Sequence, residues 1–183
     1  GEVLVDNVDG RLLVDVASAD IRSTDGTGEF VFDTGSGDVD VVGHDGGLVC
    51  DTGSGDVKVE RVEGGELTFD TGSGNVTGGS IRASRLIADT GSGDVKLDDV
   101  RADRITADTG SGNVELGLVT SPSDILVDVG ATVEIDTGSG GIHTGIPIQV
   151  DEVDDDRLRG TIGNGSARLR IDTGSGDVRI EQG

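Results

Sequence analysis

Several residue types are missing or rare in this chain of 183 residues. It contains no Met, Trp or Tyr, and only three Phe, two Pro and one Cys. A single cysteine cannot form a disulfide within the chain, so cysteine usage indicates no redox compartment. The lack of Trp and Tyr argues against a surface on which sugar rings stack, although polar contacts to glycans need no aromatic residue. No apolar run approaches the roughly 18 residues of a membrane-spanning helix, so we expect no part of this sequence to insert into a membrane.

Basic residues are also scarce. The chain has 14 Lys and Arg against 36 Asp and Glu, which gives a formal net charge of −22. A surface of this sign repels phosphate backbones and anionic lipids, so the composition argues against nucleic acid and anionic membrane surfaces as partners. The sequence begins at Gly1 without a start Met, which leaves open a signal peptide or anchor upstream.

One pentapeptide, Asp-Thr-Gly-Ser-Gly, recurs through most of the chain. Its copies begin at Asp33, Asp51, Asp70, Asp89, Asp108, Asp136 and Asp172. The first five copies follow one another at a nearly constant spacing, and the last two come after longer intervals. A period of about 19 residues is typical of a repeat architecture, in which each repeat forms one structural unit.

Apolar residues alternate with variable ones on both sides of the pentapeptide. Three residues before each Asp stand Phe30, Leu48, Leu67, Leu86, Ile105, Val133 and Leu169. Directly before each Asp stand Phe32, Cys50, Phe69, Ala88, Ala107, Ile135 and Ile171. After the bend come the pairs Val39/Val41, Val57/Val59, Val95/Leu97, Val114/Leu116 and Val178/Ile180. A third apolar column is formed by Val62, Ile81, Val100 and Val119. Alternation at period two indicates strands with one buried face.

These patterns predict an all-β, single-domain parallel β-solenoid, or β-helix, with repeats of about 19 residues. A single coil buries too few side chains to offset the entropy of ordering its backbone, so coils must stack on one another. We predict eight or nine coils, spaced by the usual strand separation of about 4.8 Å. Cys50 stands in an apolar column and is interpreted as a small buried side chain.

The pentapeptide itself predicts a sharp corner between two strands. Glycine reaches positive φ without a steric penalty, so we expect Gly72 and Gly74, and their equivalents in the other copies, to adopt φ above zero. The Asp that opens each copy can accept a hydrogen bond from the amide two residues later. We therefore expect the amides of the bend to hold these carboxylates.

The single domain, residues 1–183, divides into three parts along the chain. Residues 1–32 are predicted to form an N-terminal cap that contains a degenerate repeat, in which Asp15 corresponds to Asp33. Residues 33–116 contain the regular coils, and residues 117–183 form irregular C-terminal coils with inserted strands. In this last part we expect strands at 125–129, at 146–150 with an edge position because of Pro147, and at 158–162. Residues 151–156 are interpreted as an acidic loop and residues 169–180 as the last regular turn.

The repeated pattern apolar-x-apolar-Asp-Thr-Gly-Ser-Gly-Asp-Val-x-Val, together with the Gly160-Thr-Ile-Gly-Asn-Gly-Ser-Ala-Arg-Leu-Arg-Ile171 run, resembles the bacterial adhesin β-strand-repeat family. The related head-GIN autotransporter-adhesin domains are similar. The resemblance covers nearly the whole chain. It implies a β-solenoid that is exported to the cell surface or periplasm, and it brings no catalytic residues with it.

No catalytic constellation is visible in the sequence. Asp-Thr-Gly-Ser also occurs in aspartic proteases, but those enzymes need two such loops that face each other, whereas stacked repeats place all copies on one side. His44 and His143 stand apart in Gly-rich stretches and are interpreted as surface-loop residues. We therefore predict a protein that is not an enzyme and has no catalytic, cofactor-binding or metal-binding residues.

Calcium is the alternative that the Asp residues leave open. The sixth position of the repeat reads Asp38, Asp56, Asn75, Asp94, Asn113, Gly141 and Asp177. Asn replaces Asp there, which is typical of turn chemistry. The first position is Asp in all seven copies, and charges stacked about 4.8 Å apart repel one another by about 1 kcal/mol per pair in water. Amides of the bend, nearby Arg or a bound cation could offset that repulsion.

The Thr of each pentapeptide forms a regular column of hydroxyl groups, at Thr34, Thr52, Thr71, Thr90, Thr109, Thr137 and Thr173. Ice-binding solenoids carry such arrays, but here no second Thr lies two residues away, so a turn-stabilising or inward hydroxyl is the favoured interpretation. Taken with the resemblance, the sequence predicts a structural or interaction module at the bacterial cell envelope, with an adhesin-like role. The alternative is a calcium-stabilised extracellular repeat. The partner and the oligomeric state stay open.

Overall fold

The fold is built entirely from strands in the part of the chain that the structure describes. The structure is a computed structural model that describes residues 1–118, 131–146, 148–154, 157–162 and 167–182. The strands, β1 to β15 in chain order, are Glu2–Asp6, Asp9–Val16, Asp20–Thr34, Val39–Asp45, Leu48–Thr52, Val57–Thr71, Val76–Thr90, Val95–Thr109, Val114–Leu118, Ala131–Thr137, Ile142–Thr144, Gln149–Val153, Arg157–Ile162, Ala167–Thr173 and Val178–Gln182.

Successive coils pair in parallel, and the register follows the repeat. Strand β6 pairs with β7 so that Leu67 lies beside Leu86, and Asp70 beside Asp89. Strand β7 pairs with β8 in the same way, which places Asp89 beside Asp108. Equivalent residues of neighbouring repeats therefore stack directly on one another. The prediction of an all-β parallel β-solenoid is confirmed.

Inward residues of the three arcs of each coil form one continuous core. Both apolar columns before the pentapeptide are buried wherever their side chains are described, and so are the paired valines after it. The third column is buried at Val62, Ile81 and Val100. Val119 and the side chain of Val133 lie outside the described residues. Cys50 is fully buried, as predicted, and burial raises the pKa of its thiol far above the ordinary value.

The glycines of the pentapeptide do not adopt positive φ, so the predicted reason for their presence is wrong. What requires glycine is the close approach of neighbouring coils. A Cβ placed on Gly74 would lie 1.9 Å from the carbonyl oxygen of Gly55, and one on Gly72 would lie 2.5 Å from that of Gly53. The left-handed corner lies elsewhere in the coil, at the stacked residues Asn7, Asp25, Gly43, Arg61, Ser80 and Asp99.

The stack contains about six turns, slightly fewer than the eight or nine coils predicted. The two ends of the stack are irregular. At the N-terminal end, β1 and β2 pair only with β3 and form the coil of the degenerate repeat, with Asp15 beside Asp33 as expected. At the C-terminal end, β13 runs antiparallel to β10, and β12 runs antiparallel to β13, so this hairpin extends the sheet without completing coils.

The order of coils in the stack differs from their order in the chain. Strand β14 pairs with β8 on one side and with β10 on the other. Likewise, β15 lies between β9 and β11. The residues from 169 to 180 do form a regular turn. In the stack, however, this turn lies between the coil that contains β8 and β9 and the coil that contains β10 and β11, although those two coils are consecutive in the chain. The longer spacings before Asp136 and Asp172 provide the additional chain that this path requires.

Three further predictions concern the irregular C-terminal part. The returning strand at 158–162 is confirmed as β13. The edge strand predicted at 146–150 begins later, because β12 spans Gln149–Val153 and pairs only with β13. The acidic loop predicted at 151–156 is therefore wrong for residues 151–153. Pro147, Asp155, Asp156 and the predicted strand at 125–129 lie outside the described residues.

Candidate functional site

The strands that lead into the pentapeptide present one broad outward surface, which we name the ladder face. Because side chains alternate along a strand, every second residue on these strands points outward, and three outward columns result. In stacking order, the Asp ladder comprises Asp15, Asp33, Asp51, Asp70, Asp89, Asp108, Asp172 and Asp136. In the same order, the central stripe comprises Leu13, Val31, Val49, Thr68, Ile87, Thr106, Arg170 and Glu134. The outer column comprises Arg11, Glu29, Gly47, Glu66, Arg85, Arg104 and Arg168.

The Thr that follows every ladder Asp other than Asp15 points inward at the corner of its coil. The hydroxyl of Thr52 accepts a hydrogen bond from the amide of Gly55 at 3.1 Å and donates one to the carbonyl of Gly37 in the preceding coil at 2.8 Å. Thr71, Thr90 and Thr109 repeat the arrangement. The predicted inward, turn-stabilising role of the Thr column is confirmed.

The Asp ladder lacks the hydrogen bonds that we expected. In the bends that follow Asp51, Asp70, Asp89 and Asp108, one Gly amide donates to the Thr hydroxyl and the other donates to a backbone carbonyl of the preceding coil, as Gly72 does to Thr52 at 3.0 Å. Within the described part of the chain, no group donates to the carboxylates of Asp51, Asp70, Asp89 or Asp108. The prediction that bend amides hold these carboxylates is wrong, because the amides point inward and along the stack while the carboxylates point outward.

Unpaired carboxylates in a row affect one another's protonation. The pKa values of Asp51, Asp70, Asp89 and Asp108 are raised above the ordinary value of 3.8, first by partial burial and second by the charge of the neighbouring ladder Asp. Two ladder residues near the C-terminal end differ, because Asp136 pairs with Arg157 and Asp172 lies 3.6 Å from Arg170. The repulsion is therefore concentrated on the middle of the ladder.

We expect Asp70→Asn to stabilise the protein at pH 7. A carboxyl whose pKa is raised on folding contributes stability that is fully present below pH 3.8 and is lost as the pH rises through the raised pKa. At pH 7 the ladder is thus destabilising, and removing one charge relieves repulsion from two neighbours, each on the order of 1 kcal/mol in water. Thermal melts from pH 3 to 8 should show a gain that disappears below about pH 4. Asp6→Asn, outside the ladder face, is the matched control, and an equal gain there would contradict the ladder as the cause.

The sixth repeat position forms a second ladder on the neighbouring corner, and this one is fully bonded. Each backbone amide donates to the side-chain oxygen of the equivalent residue in the adjacent coil, for example Asp56 to Asp38 at 2.9 Å and Asp94 to Asn75 at 2.9 Å. The amides of Asn75 and Asn113 make the same bond to Asp56 and Asp94. An amide oxygen accepts as well as a carboxylate does, which explains why Asn replaces Asp here. The turn interpretation of this column is confirmed.

The central stripe and the outer column change character along the stack. The stripe is apolar toward the N-terminal end, where Leu13 is 69% exposed and Val31 and Val49 are each 37% exposed. Those two valines line a groove of about 470 Å³ with Glu29 and Glu66 on its rim. The outer column is acidic beside the groove and becomes a row of Arg at Arg85, Arg104 and Arg168. This Arg row was not singled out from the sequence, although its first two members are separated by one repeat.

The two histidines have different environments. His44 was predicted to lie in a surface loop, and this is wrong. It is 3% exposed on β4, where it occupies the position of Val62 in the next coil, and its ring lies 4.6 Å from that of Phe30. Gly26 in the coil below provides the room for this larger side chain. His143 is exposed as predicted, but it lies on β11.

A calcium ion requires about six to eight oxygen ligands. Among the described residues, no group of three or more His, Cys, Asp or Glu side chains is placed to hold a metal ion. The Asp ladder is a single line of carboxylates, so its members do not converge on one point. Within the same residues, no helix is long and apolar enough to cross a membrane.

The fold and the two ladders define a class of protein: a parallel β-solenoid with acidic residues stacked at one corner of every coil. A family model described as Toastrack DUF4097 matches residues 9–181, and the chain belongs to this family. No curated protein and no solved structure matches the chain significantly.

Proposed function

We propose that this domain is a non-enzymatic structural or interaction module of the bacterial cell envelope. The observation that carries the proposal is the ladder face, a broad sheet surface on which exposed apolar and charged side chains repeat at a fixed spacing. An exposed apolar surface with a polar rim is typical of an interaction site. The extracytoplasmic location, at the cell surface or in the periplasm, is supported by the resemblance of the repeats to bacterial adhesin-type repeats.

The interior of the coils supports a scaffold role. At six corners, those of Thr34, Thr52, Thr71, Thr90, Thr109 and Thr173, the Thr hydroxyl bonds both its own coil and the preceding coil of the stack. The second ladder adds one more bond between most neighbouring coils. Contacts of this kind hold outward side chains at constant spacing over the whole stack. Such a surface suits an extended or repetitive partner, and an adhesin-like contact with a surface component is the finer form of the proposal.

A binding assay with a matched control tests the interaction role. The purified domain is sedimented with isolated cell envelopes of a bacterium that encodes it. The variant Val31→Lys/Val49→Lys adds two positive charges to the ladder face, whereas Val42→Lys/Thr77→Lys adds two outward charges on another face. We expect the wild type and the second variant to sediment with envelopes and the first variant to remain in solution. Equal behaviour of all three proteins would contradict the role of the ladder face.

The location is tested separately by fractionation of the native cells. Antibody detection of the protein in the envelope or periplasmic fraction is expected. Recovery in the cytoplasmic fraction alone would overturn the envelope assignment without affecting the assay of the face.

The calcium-stabilised repeat is the second candidate, and one observation favours it: the carboxylates in the middle of the Asp ladder accept no hydrogen bond from any described residue. Melting curves in chelator and in millimolar calcium, at matched high ionic strength, separate the candidates. A site with a dissociation constant near 10 μM would add about 2.7 kcal/mol at a hundredfold excess of calcium. We expect no specific rise in Tm. A rise of several degrees that magnesium does not reproduce would establish the second candidate.

A further inference from the structure

Two rows of opposite charge flank the central stripe on the ladder face. On one side lies the Arg row of Arg85, Arg104 and Arg168, and within the described residues neither Arg104 nor Arg168 has an ion-pair partner. Among these residues Arg85 forms an ion pair only with Glu66, at 3.5 Å. On the other side lie Asp89 and Asp108, whose carboxylates accept no hydrogen bond from the described part of the chain. Both rows therefore have unused capacity for charge-assisted contacts.

The two rows cannot satisfy each other within one molecule. Arg104 and Asp108 are four residues apart on one extended strand, a separation of about 13 Å between their backbones. Thr106 of the central stripe projects outward between them. The same holds for Arg85 and Asp89, which are separated by Ile87.

We propose that the ladder face binds a second copy of this chain, face to face, about a two-fold axis parallel to the solenoid axis. This rotation leaves each coil at the same height along the solenoid axis as the equivalent coil of the second copy. It also brings the outer column of one copy opposite the Asp ladder of the other. It places Arg85 opposite Asp89 of the second copy, and Arg104 opposite Asp108 of the second copy. Arg168 comes opposite Asp172 in the same way. The central stripe faces its own equivalent, so Ile87 and Thr106 pack against their counterparts, whereas Arg170 and Glu134 each face a like charge toward the C-terminal end.

The other symmetric way to join these faces is unfavourable. A two-fold axis in the face but perpendicular to the solenoid axis would place the Asp ladder of one copy against that of the other. The parallel arrangement instead matches opposite charges at three consecutive levels. An isologous contact of this kind, in which one patch complements itself, is the usual basis of a homodimer.

The size of the face is compatible with a specific but modest interface. The seven levels that carry all three columns are spaced by about 4.8 Å, and with a width of roughly 20 Å they give about 700 Å² per copy, just below the roughly 800 Å² of a standard interface. Toward the N-terminal end the same rotation opposes Glu29 to Asp33 and Glu66 to Asp70. The attraction is therefore concentrated at the levels of Arg85 and Arg104, where the central stripe is uncharged, and the dimer should depend strongly on the charges there.

A charge-reversal experiment tests the arrangement. Arg104→Glu places two acids opposite each other at both equivalent contacts, and Asp108→Arg places two bases opposite each other. Measured by sedimentation velocity, each variant alone should dimerise at least tenfold more weakly than the wild type. A one-to-one mixture of the two variants should form a heterodimer more readily than either variant forms a homodimer. In the heterodimer, the new acid at position 104 of one copy faces the new base at position 108 of the other, and the second contact at that level joins the native Asp108 and Arg104. Lys96→Glu, a reversal on another face, should leave the wild-type dimer intact.

Several outcomes would overturn the inference. These are a wild-type chain that stays monomeric at about millimolar concentration, single variants that dimerise like the wild type, or a mixture that does not recover. Melting curves confirm that each variant is folded before the comparison is made. The inference rests on the proposed function only in using the same face, and the mixture experiment needs no envelope component. Failure of envelope binding therefore leaves this test intact, and failure of dimerisation leaves the envelope assay intact.

Discussion

Replacing Leu67 with Asp is expected to unfold the central coils of the solenoid. Leu67 is completely buried and stacks between Leu48 and Leu86 of the adjacent coils. The substitution removes a packed side chain and introduces a charge that has no partner in an apolar column. We expect a loss of more than about 4 kcal/mol, which is comparable with the whole stability of many domains. Chemical denaturation followed by circular dichroism measures this loss.

The matched control is Thr68→Asp, one residue further along the same strand. Thr68 points outward in the central stripe, so the new carboxylate stays in water and meets only the repulsion of nearby acids such as Glu66 and Asp70. A loss of at most about 1 kcal/mol is expected. Because a strand alternates its faces, similar losses from the two variants would mean that the register of β6 is wrong.

The second large effect is expected from Gly74→Ala. The added methyl group would lie 1.9 Å from the carbonyl oxygen of Gly55, and backbone cannot move aside as a flexible side chain can. The two coils would have to separate locally, which also strains the hydrogen bond between the Gly74 amide and Thr71. Overpacking of a tight core costs about 1–3 kcal/mol or more, and we expect the upper part of that range or failure to fold. Chemical denaturation again measures the loss.

Gly65→Ala provides the comparison, because a Cβ there would have no heavy atom within 4 Å. This variant should melt within a few degrees of the wild type, and reduced freedom of the unfolded chain could even raise its stability. If both alanine variants were equally destabilised, the close approach of the coils could not be the reason for glycine in the pentapeptide.

Much of the fold follows from the sequence because one alternation pattern recurs at a fixed period. Leu67 and Thr68 could be assigned to opposite faces from their neighbours in the repeat alone. Gly74 could be placed at a corner, but the physical reason for glycine there could not be found. The alternation reports which side chains are inside, whereas the distance between Gly74 and Gly55 depends on how closely two coils approach. That distance appears only after the coils are stacked.

His44 shows a second limit of the pattern. A polar residue between glycines resembles a surface loop in the sequence, yet its alignment with Val62 places it in the core. The available signal was the spacing between these two positions, which equals the spacing between Asp33 and Asp51. It was obscured because the third apolar column begins regularly only at Val62. The room for the imidazole ring comes from Gly26, a contact between coils that no local window contains.

The candidate site was only partly visible in the sequence. The Asp ladder was evident because its residue type never changes, while the Arg row was missed because its column begins with Arg11, Glu29 and Gly47. The third member, Arg168, lies far from Arg104 along the chain. It joins the row only because β14 inserts between β8 and β10, and repeat spacing carries no information about such an insertion.

The inserted turn is the most distinctive feature of this solenoid, and disulfide crosslinking tests it most directly. In a Cys50→Ala background, Thr106→Cys/Arg170→Cys joins β8 to β14, whose residues pair directly. The pair Thr106→Cys/Glu134→Cys joins β8 to β10, two levels apart at about 9.6 Å, which is beyond the limit of about 7 Å for a disulfide. We predict that the first pair crosslinks readily under mild oxidation and the second does not. Crosslinking of the second pair without the first would contradict the stacking order.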